Sequence, residues 1–496
     1  MFTVQFKFID LKNLFLLLSS VLLLFQACSK SDQNIKTVVD DSLFDVTFGS
    51  SVIPYIQVTT QNVIQNEPKI PGLMHVYVEE SLVFSSTIGI EYRGSTSYRL
   101  SDKKSYGIEL WDELNEGYDA EVLGFPEEED WIFMGHVFRA SNNTIFDPSL
   151  MHHYLGYQLY RSMDNYASRS RYMELEINSF YKGVYVFMEK LKRDSNRIDV
   201  NKLKATENEG EDLTGGYILK IDKTAGGDVA PNEPLAYYEN NWDDDARYSE
   251  ALSFRSQYDI FGNILTNEPF GPPNHSEQYL ETYFLYEHPK NDDITTEQKN
   301  YIQKYINDFE TALLADDFSS SERTYIDFID LNSFVDYFIL NELTGNIDAY
   351  RLSTYMHKEK SKPLRMGPVW DLNIGYNRQD RVPTTDWIAN YNQYVSRDAW
   401  MVPFWWPRLL QDPVFQSALQ NRWNELRVNT LSNAIVLGLV NITSEFLISN
   451  GAIDRNYTKW DGIPVDYPSV VSDLKRYLED RLSWMQLLGL LNEIYI

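Results

Sequence analysis

Short stretches of alternating apolar and polar residues fill the front of the chain, and helical spacing replaces them towards the back. Residues 53–59, 73–79, 86–92 and 104–110 read as strands separated by turn-forming positions. The clearest signal is a hairpin over residues 171–189. Its outgoing strand puts Met173, Leu175 and Ile177 on one face and Glu174 and Glu176 on the other. Ser179 to Gly183 turns the chain. The return strand places Val184, Val186 and Met188 on one side and Tyr185, Phe187 and Glu189 on the other. Helical spacing covers residues 149–163, and a further short strand covers 215–222. Residues 224–275, rich in Gly, Pro, Asn and Asp, read mostly as long loops. Their acidic run Trp242-Asp-Asp-Asp245 lacks the regular odd-position spacing of a calcium loop.

After Ile294 the period changes. Helices are predicted over 296–314, 331–343, much of 409–448, and 469–488, where Val471, Leu474, Leu478, Leu482 and Met485 make an apolar stripe. There is no internal repeat and no heptad run. The layout is α+β: N-terminal strands over 51–80, then one large domain over 81–490. That domain divides into a sheet-rich lobe (81–223) with mixed or antiparallel pairing, a loop-rich insert (224–293) and a mostly helical lobe (294–490).

The N-terminus points to a compartment. Lys7 and Lys12 precede an apolar run over 14–25 that stops at Gln26-Ala27-Cys28. The run has the length of a signal-peptide core and is short for a membrane span. A small residue before a lone cysteine is the lipoprotein-processing pattern, so residues 1–27 are expected to be a leader and Cys28 the lipidated residue. Polar, aperiodic residues 28–50 suit a tether. A protein so anchored belongs in the cell envelope, on the outer membrane, facing the periplasm or the surface.

Composition narrows the partners. With 44 Lys and Arg against 72 Asp and Glu, the formal charge is −28, which argues against nucleic acid because phosphate neutralisation needs a basic footprint. The single cysteine cannot form an intramolecular disulfide.

Candidate chemistry lies in three stretches. In the 331–343 helix Leu331, Phe334, Val335 and Phe338 mark the buried stripe, and Glu342 continues it inward. Gly345 supplies a helix stop, and Asn346 and Asp348 follow. Further on, Gly367-Pro-Val-Trp-Asp371-Leu-Asn373 reads as a strand presenting Asp371 and Asn373 on one face, a carboxylate and an amide oxygen suited to a hard cation such as magnesium. These residues fit metal-assisted phosphoryl transfer or hydrolysis, and equally a set of capped turns. The third stretch, Glu91-Tyr-Arg93-Gly94-Ser95-Thr96-Ser97 followed by Lys103-Lys104, offers small residues and mobile cations for a phosphate. No P-loop is present.

Arg93-Gly-Ser-Thr-Ser with Lys103-Lys104-Ser-Tyr resembles signatures of CotH-type proteins, the spore-coat-protein-H family of atypical kinases. Asp130-Trp131-Ile, Asp147-Pro-Ser-Leu, Tyr181-Lys-Gly-Val-Tyr-Val-Phe-Met-Glu189, Gly215-Gly-Tyr-Ile-Leu, His288-Pro-Lys290 and Gly367-Pro-Val-Trp-Asp371 fall in that family's order. The resemblance, over roughly residues 70–490, implies an atypical protein-kinase-like fold that uses ATP and magnesium or manganese to phosphorylate hydroxyls of an envelope protein, and of itself. It implies that Arg93 and Lys103 or Lys104 meet the phosphates, with Glu189 paired to the lysine. Asp348 becomes the catalytic aspartate, and Asp371 with Asn373 the metal ligands. Three departures stand out: His152-His153 replaces Arg-Asn, Ser353 stands where a kinase carries a metal-binding asparagine, and Lys220 replaces a commonly acidic residue. Adjacent histidines on a helix point about 100° apart, which disfavours a shared zinc. The competing reading is a non-catalytic kinase-like surface module that binds an envelope protein or glycan through aromatics such as Trp400, Trp405 and Trp406.

Overall fold

The computed structural model describes residues 51–224, 246–272, 275–376 and 381–487. All belong to one unit spanning Ser42–Ile496. The expected leader, Cys28, the tether and the acidic run through Asp245 lie outside the described residues.

Seven strands close into a barrel: β1 (Tyr55–Thr60), β2 (Ile70–Val78), β3 (Ser81–Arg93), β4 (Ser105–Trp111), β5 (Asp130–Met134), β6 (Ser170–Ile177) and β7 (Phe180–Glu189). The order around it is β1, β6, β7, β5, β4, β3, β2 and back to β1. Only the β1–β6 pairing is parallel, with Tyr55 opposite Glu174. Strands 55–60 and 70–78 are thus integral to the same barrel as the later strands. The hairpin alternates as its sequence predicts, with Met173, Leu175, Ile177, Tyr185 and Phe187 inside the barrel. Val184, Val186 and Met188 point outward into a second core shared with the helices. Its turn is tighter than expected: Asn178 and Ser179, both at positive φ, connect strands that pair from Ile177–Phe180 onward, as a two-residue hairpin requires.

The second sheet contains β8 (Tyr217–Ile221), β9 (Ser253–Arg255), β10 (Tyr283–His288), β11 (Thr354–Lys358) and β12 (Leu364–Met366), in the order β9-β10-β8-β11-β12 and antiparallel throughout. Two of its strands, β9 and β10, come from the stretch read as a loop-rich insert. Period alone could not reveal three- to six-residue strands inside a Gly- and Pro-rich background.

The helices that frame the site are α1 (His152–Ser162), α2 (Thr296–Leu314), α3 (Leu331–Thr344), α4 (Pro413–Arg427), α5 (Asn433–Ser449), α6 (Ala452–Lys459) and α7 (Tyr467–Leu487). Helix α3 runs through the larger core with Phe334, Phe338 and Leu340 buried. Asp330 caps its start by accepting the Ser333 amide at 2.9 Å. Gly345 ends it at φ +59, a left-handed turn that glycine adopts without a Cβ penalty. Trp405 and Trp406 fill the same core. Among the described residues no single helix is long and apolar enough to cross a membrane; the bent pair α5–α6 reaches that length and composition jointly.

Candidate functional site

A cleft of about 460 Å³ opens where four irregular segments meet the barrel and the second sheet. The end of β3 and the turn after it bring Arg93, Gly94, Ser95 and Ser97. The end of β8 brings Lys220, Asp222 and Lys223. The loop after α3 brings Ile347, Asp348, Arg351 and Ser353, and the segment after β12 brings Trp370, Asp371, Asn373 and Ile374. The structure therefore gathers Arg93, Asp348, Asp371 and Asn373 in one cavity.

Each functional side chain is held. Asp348 follows the Gly345 stop, and its Oδ1 accepts from Arg351 Nη2 at 2.6 Å. Arg351 is buried, donates to Ile347 O at 2.8 Å and Trp400 O at 3.1 Å, and lies 4.2 Å from the Tyr391 ring centroid. That anchoring fixes the Asp348 carboxylate relative to the cleft. Arg93 lies 5.7 Å from the Trp370 ring centroid, and its charge acts on Asp371. The segment carrying Asp371 is not a strand, contrary to the alternation read from sequence: residues 367–372 are irregular and Asp371 sits at φ +53. Asp371 and Asn373 share the cleft because the chain turns there.

The electrostatics are those of crowded carboxylates. About a third of the Asp371 side chain, 36%, is open to the cleft, yet the group is set deep. Burial, then the charges of Asp348 and Asp222, push its pKa up to about 7, against the pull of Arg93 and Lys223. Such crowding is costly unless a cation or a proton offsets it. The donors are all oxygens, three carboxylates and the Asn373 amide, the type a hard divalent cation takes; the three carboxylates line one cleft without all approaching one another within 4.8 Å as those of Glu128, Glu129 and Asp130 do. Asp222 was missed in the sequence because it lies just past the last residue of β8, where alternation no longer predicts direction. The departure at Ser353 also falls inside the cleft.

Three expected site residues lie elsewhere. Lys103 is buried, donates to Val184 O at 2.6 Å and Asn456 Oδ1 at 2.9 Å, and burial pulls its pKa down to about 7. Lys104 donates to Tyr98 O at 2.7 Å and lies 4.1 Å from the Tyr98 ring centroid. Neither lines the cleft. Glu189 does not pair with either lysine. It accepts the Arg169 amide at 2.9 Å and the Tyr166 hydroxyl at 3.2 Å, and it pairs with the Arg169 guanidinium. A run of two lysines before a strand does not encode which way either points.

The paired histidines are buried on α1 behind the cleft. Among the described residues, neither belongs to a cluster of three metal-ligating side chains; the one such cluster, Glu128, Glu129 and Asp130, is met by Lys192 at 2.9, 3.4 and 3.0 Å.

A family model described as CotH kinase protein matches residues 90–485. No curated protein matches the chain. The match begins inside β3, so β1, β2 and most of β3 lie outside the matched stretch although they complete the barrel.

Proposed function

Because the chain belongs to the CotH kinase family, we propose that it transfers the γ-phosphoryl group of ATP to hydroxyl groups of an envelope protein and of itself. The observation that carries this reading is the convergence of Asp348 and Asp371 in one cleft, with Asn373 and Asp222 beside them and Arg93 and Lys223 also lining it. Phosphoryl transfer asks a protein mainly for positioning and charge stabilisation. Asp348, oriented by Arg351, accepts the proton of the attacking hydroxyl. The hydroxyl oxygen then bonds to the γ-phosphorus as its bond to the bridging oxygen breaks, releasing ADP. Arg93 keeps the phosphate-facing role that the resemblance gave it, and Lys223 takes the part given to Lys103 or Lys104. Asp371, Asn373 and Asp222 would hold magnesium or manganese, which supplies positive charge against the phosphates.

The test is incorporation of labelled γ-phosphate into the protein and into envelope extract. Asp348→Ala and Asp371→Ala are each expected to lose about a hundredfold or more of the rate. A wild type that transfers no more than the double variant, yet still captures an envelope partner, would make this a non-catalytic kinase-like module. We also propose that Cys28 is lipidated and anchors the chain to a membrane of the envelope. A clickable fatty acid should label the wild type, and equal labelling of Cys28→Ser would remove that assignment.

A further inference from the structure

The two histidines that depart from the family pattern sit directly behind the segment that carries Asp371. The Leu372 amide points at His153 Nδ1 from 3.3 Å, a position shared with the Tyr157 hydroxyl at 3.3 Å. An amide only donates, so Nδ1 offers its lone pair and the proton of the neutral ring is on Nε2. That Nε2 faces Asp371 Oδ1 at 3.9 Å. His152 grips the next residue: its Nδ1 donates to the Asn373 carbonyl at 3.0 Å, and its Nε2 lies 3.5 Å from Asp147 Oδ1. Asp147 is itself fixed by the His152 amide at 2.8 Å and the Ser149 hydroxyl at 2.6 Å. The Tyr376 hydroxyl donates to His152 O at 3.2 Å. Between these contacts Leu372 packs onto Gly156, where an added Cβ would lie 2.1 Å from Leu372 Cδ1. So α1 touches residues 371, 372, 373 and 376 in turn.

Asp371 needs this support. Its left-handed backbone, at φ +53, is strained for an L-residue, and such conformations persist where their surroundings over-determine them.

We propose that His153 is a positioning residue for the cation site: it holds the Leu372 amide through Nδ1 and presents Nε2 to Asp371, so that the turn and the carboxylate are set before a cation arrives, while His152 does the same for the backbone of Asn373. This inference rests on the reading of Asp371 as a cation ligand. Outer partners that orient ligands are known to govern affinity as well as geometry. The histidine pair in place of Arg-Asn is then a substitution that keeps the site assembled.

The test is calorimetric titration of magnesium, and separately of manganese, into the full chain. His153→Phe, which fills the space without an acceptor, and His153→Gln, whose amide reaches the Nε2 position instead, should bind about 10-fold or more weaker. His153→Asn, whose amide oxygen falls where Nδ1 lies, should stay within roughly threefold of wild type. Metal-free melting temperatures should agree within about 3 °C, and in transfer assays the Phe variant should recover as metal is raised, its KM for metal changed and its kcat kept. Affinities of the Phe and Gln variants within threefold of wild type would overturn the inference, as would an Asn variant as weak as the Gln one. Should the Phe variant not fold, the contrast between Gln and Asn decides alone. Asp371→Ala is titrated beside them: if it binds as tightly as wild type, or if the wild type takes no metal, the reading of the site fails and this inference with it. A weakened Asp371→Ala beside unchanged His153 variants overturns the inference alone.

Discussion

Glu342 and Asp371 are both carboxylates pushed up to about 7, first by burial, and they do opposite things. Glu342 is fully buried and answered on every side: the Ile388 amide at 2.7 Å, the Ala389 amide at 3.0 Å, the Tyr350 hydroxyl at 2.9 Å and Arg481 Nη2 at 2.9 Å. Asp371 meets the charges of Asp348 and Asp222 instead, and it opens to the cleft. A displaced pKa by itself marks burial; the character of the neighbours distinguishes a carboxylate answered by donors from one crowded by like charges. The cations divide the same way. Lys103 ends on a carbonyl and an amide oxygen inside the protein, while Arg93 lines the cleft beside Asp371.

The largest effect should come from Glu342→Ala, which leaves the buried Arg481 with carbonyl oxygens alone and no counter-charge. Denaturant unfolding is expected to show a loss of about 3–5 kcal/mol. A loss below about 1 kcal/mol would erase the contrast. Asp371→Asn should do the reverse, keeping or raising the stability of the metal-free protein at pH 8, because it removes a repelled charge. Its magnesium affinity should fall about 100-fold or more, since losing a ligand costs no less than losing a ligand's partner.

The pH profile separates the two further. Between about pH 4 and 7 the folded protein retains protons on both groups that the unfolded chain has released, so the contribution of these two carboxyls to metal-free stability falls as pH rises through that window. Magnesium competes with the proton at Asp371 only. Its affinity should therefore climb to about pH 7 and then level off in wild type, and a profile flat from pH 5.5 to 8.5 would contradict the assignment. The smallest effect is expected at Lys103→Met: nucleotide affinity within about twofold of wild type, against a loss of about 10-fold or more for Arg93→Met, both read by calorimetry.

Much of the frame could be read from residue order. The helix ending at Gly345, the 171–189 hairpin and the stripe of α7 follow from period and stop signals, and the resemblance points to Arg93, Asp348, Asp371 and Asn373, which line one cleft. What period cannot express is direction in irregular backbone. Lys103 turns inward and Lys104 folds over Tyr98 because the chain between a single helical turn, Thr96–Leu100, and β4 has no repeating geometry. Asp222 and the turn at Asp371 escaped for the same reason. The histidine pair escaped because its partners lie more than two hundred positions away, the Leu372 amide and the Asn373 carbonyl.

That long reach recurs where the chain's end meets its beginning. The Ile53 amide donates to Asn450 Oδ1 at 3.0 Å, Lys103 to Asn456 Oδ1 at 2.9 Å, Arg455 to Glu174 at 2.6 Å, and Arg481 to Glu342 at 2.9 Å. A ribosome delivers these partners last. Until residues 450–481 have emerged, a buried ammonium and two buried carboxylates in the earlier lobes lack part of the contacts that offset their desolvation. A product cut short at about residue 449 would carry its fault inside, at three places that no surface repair can reach.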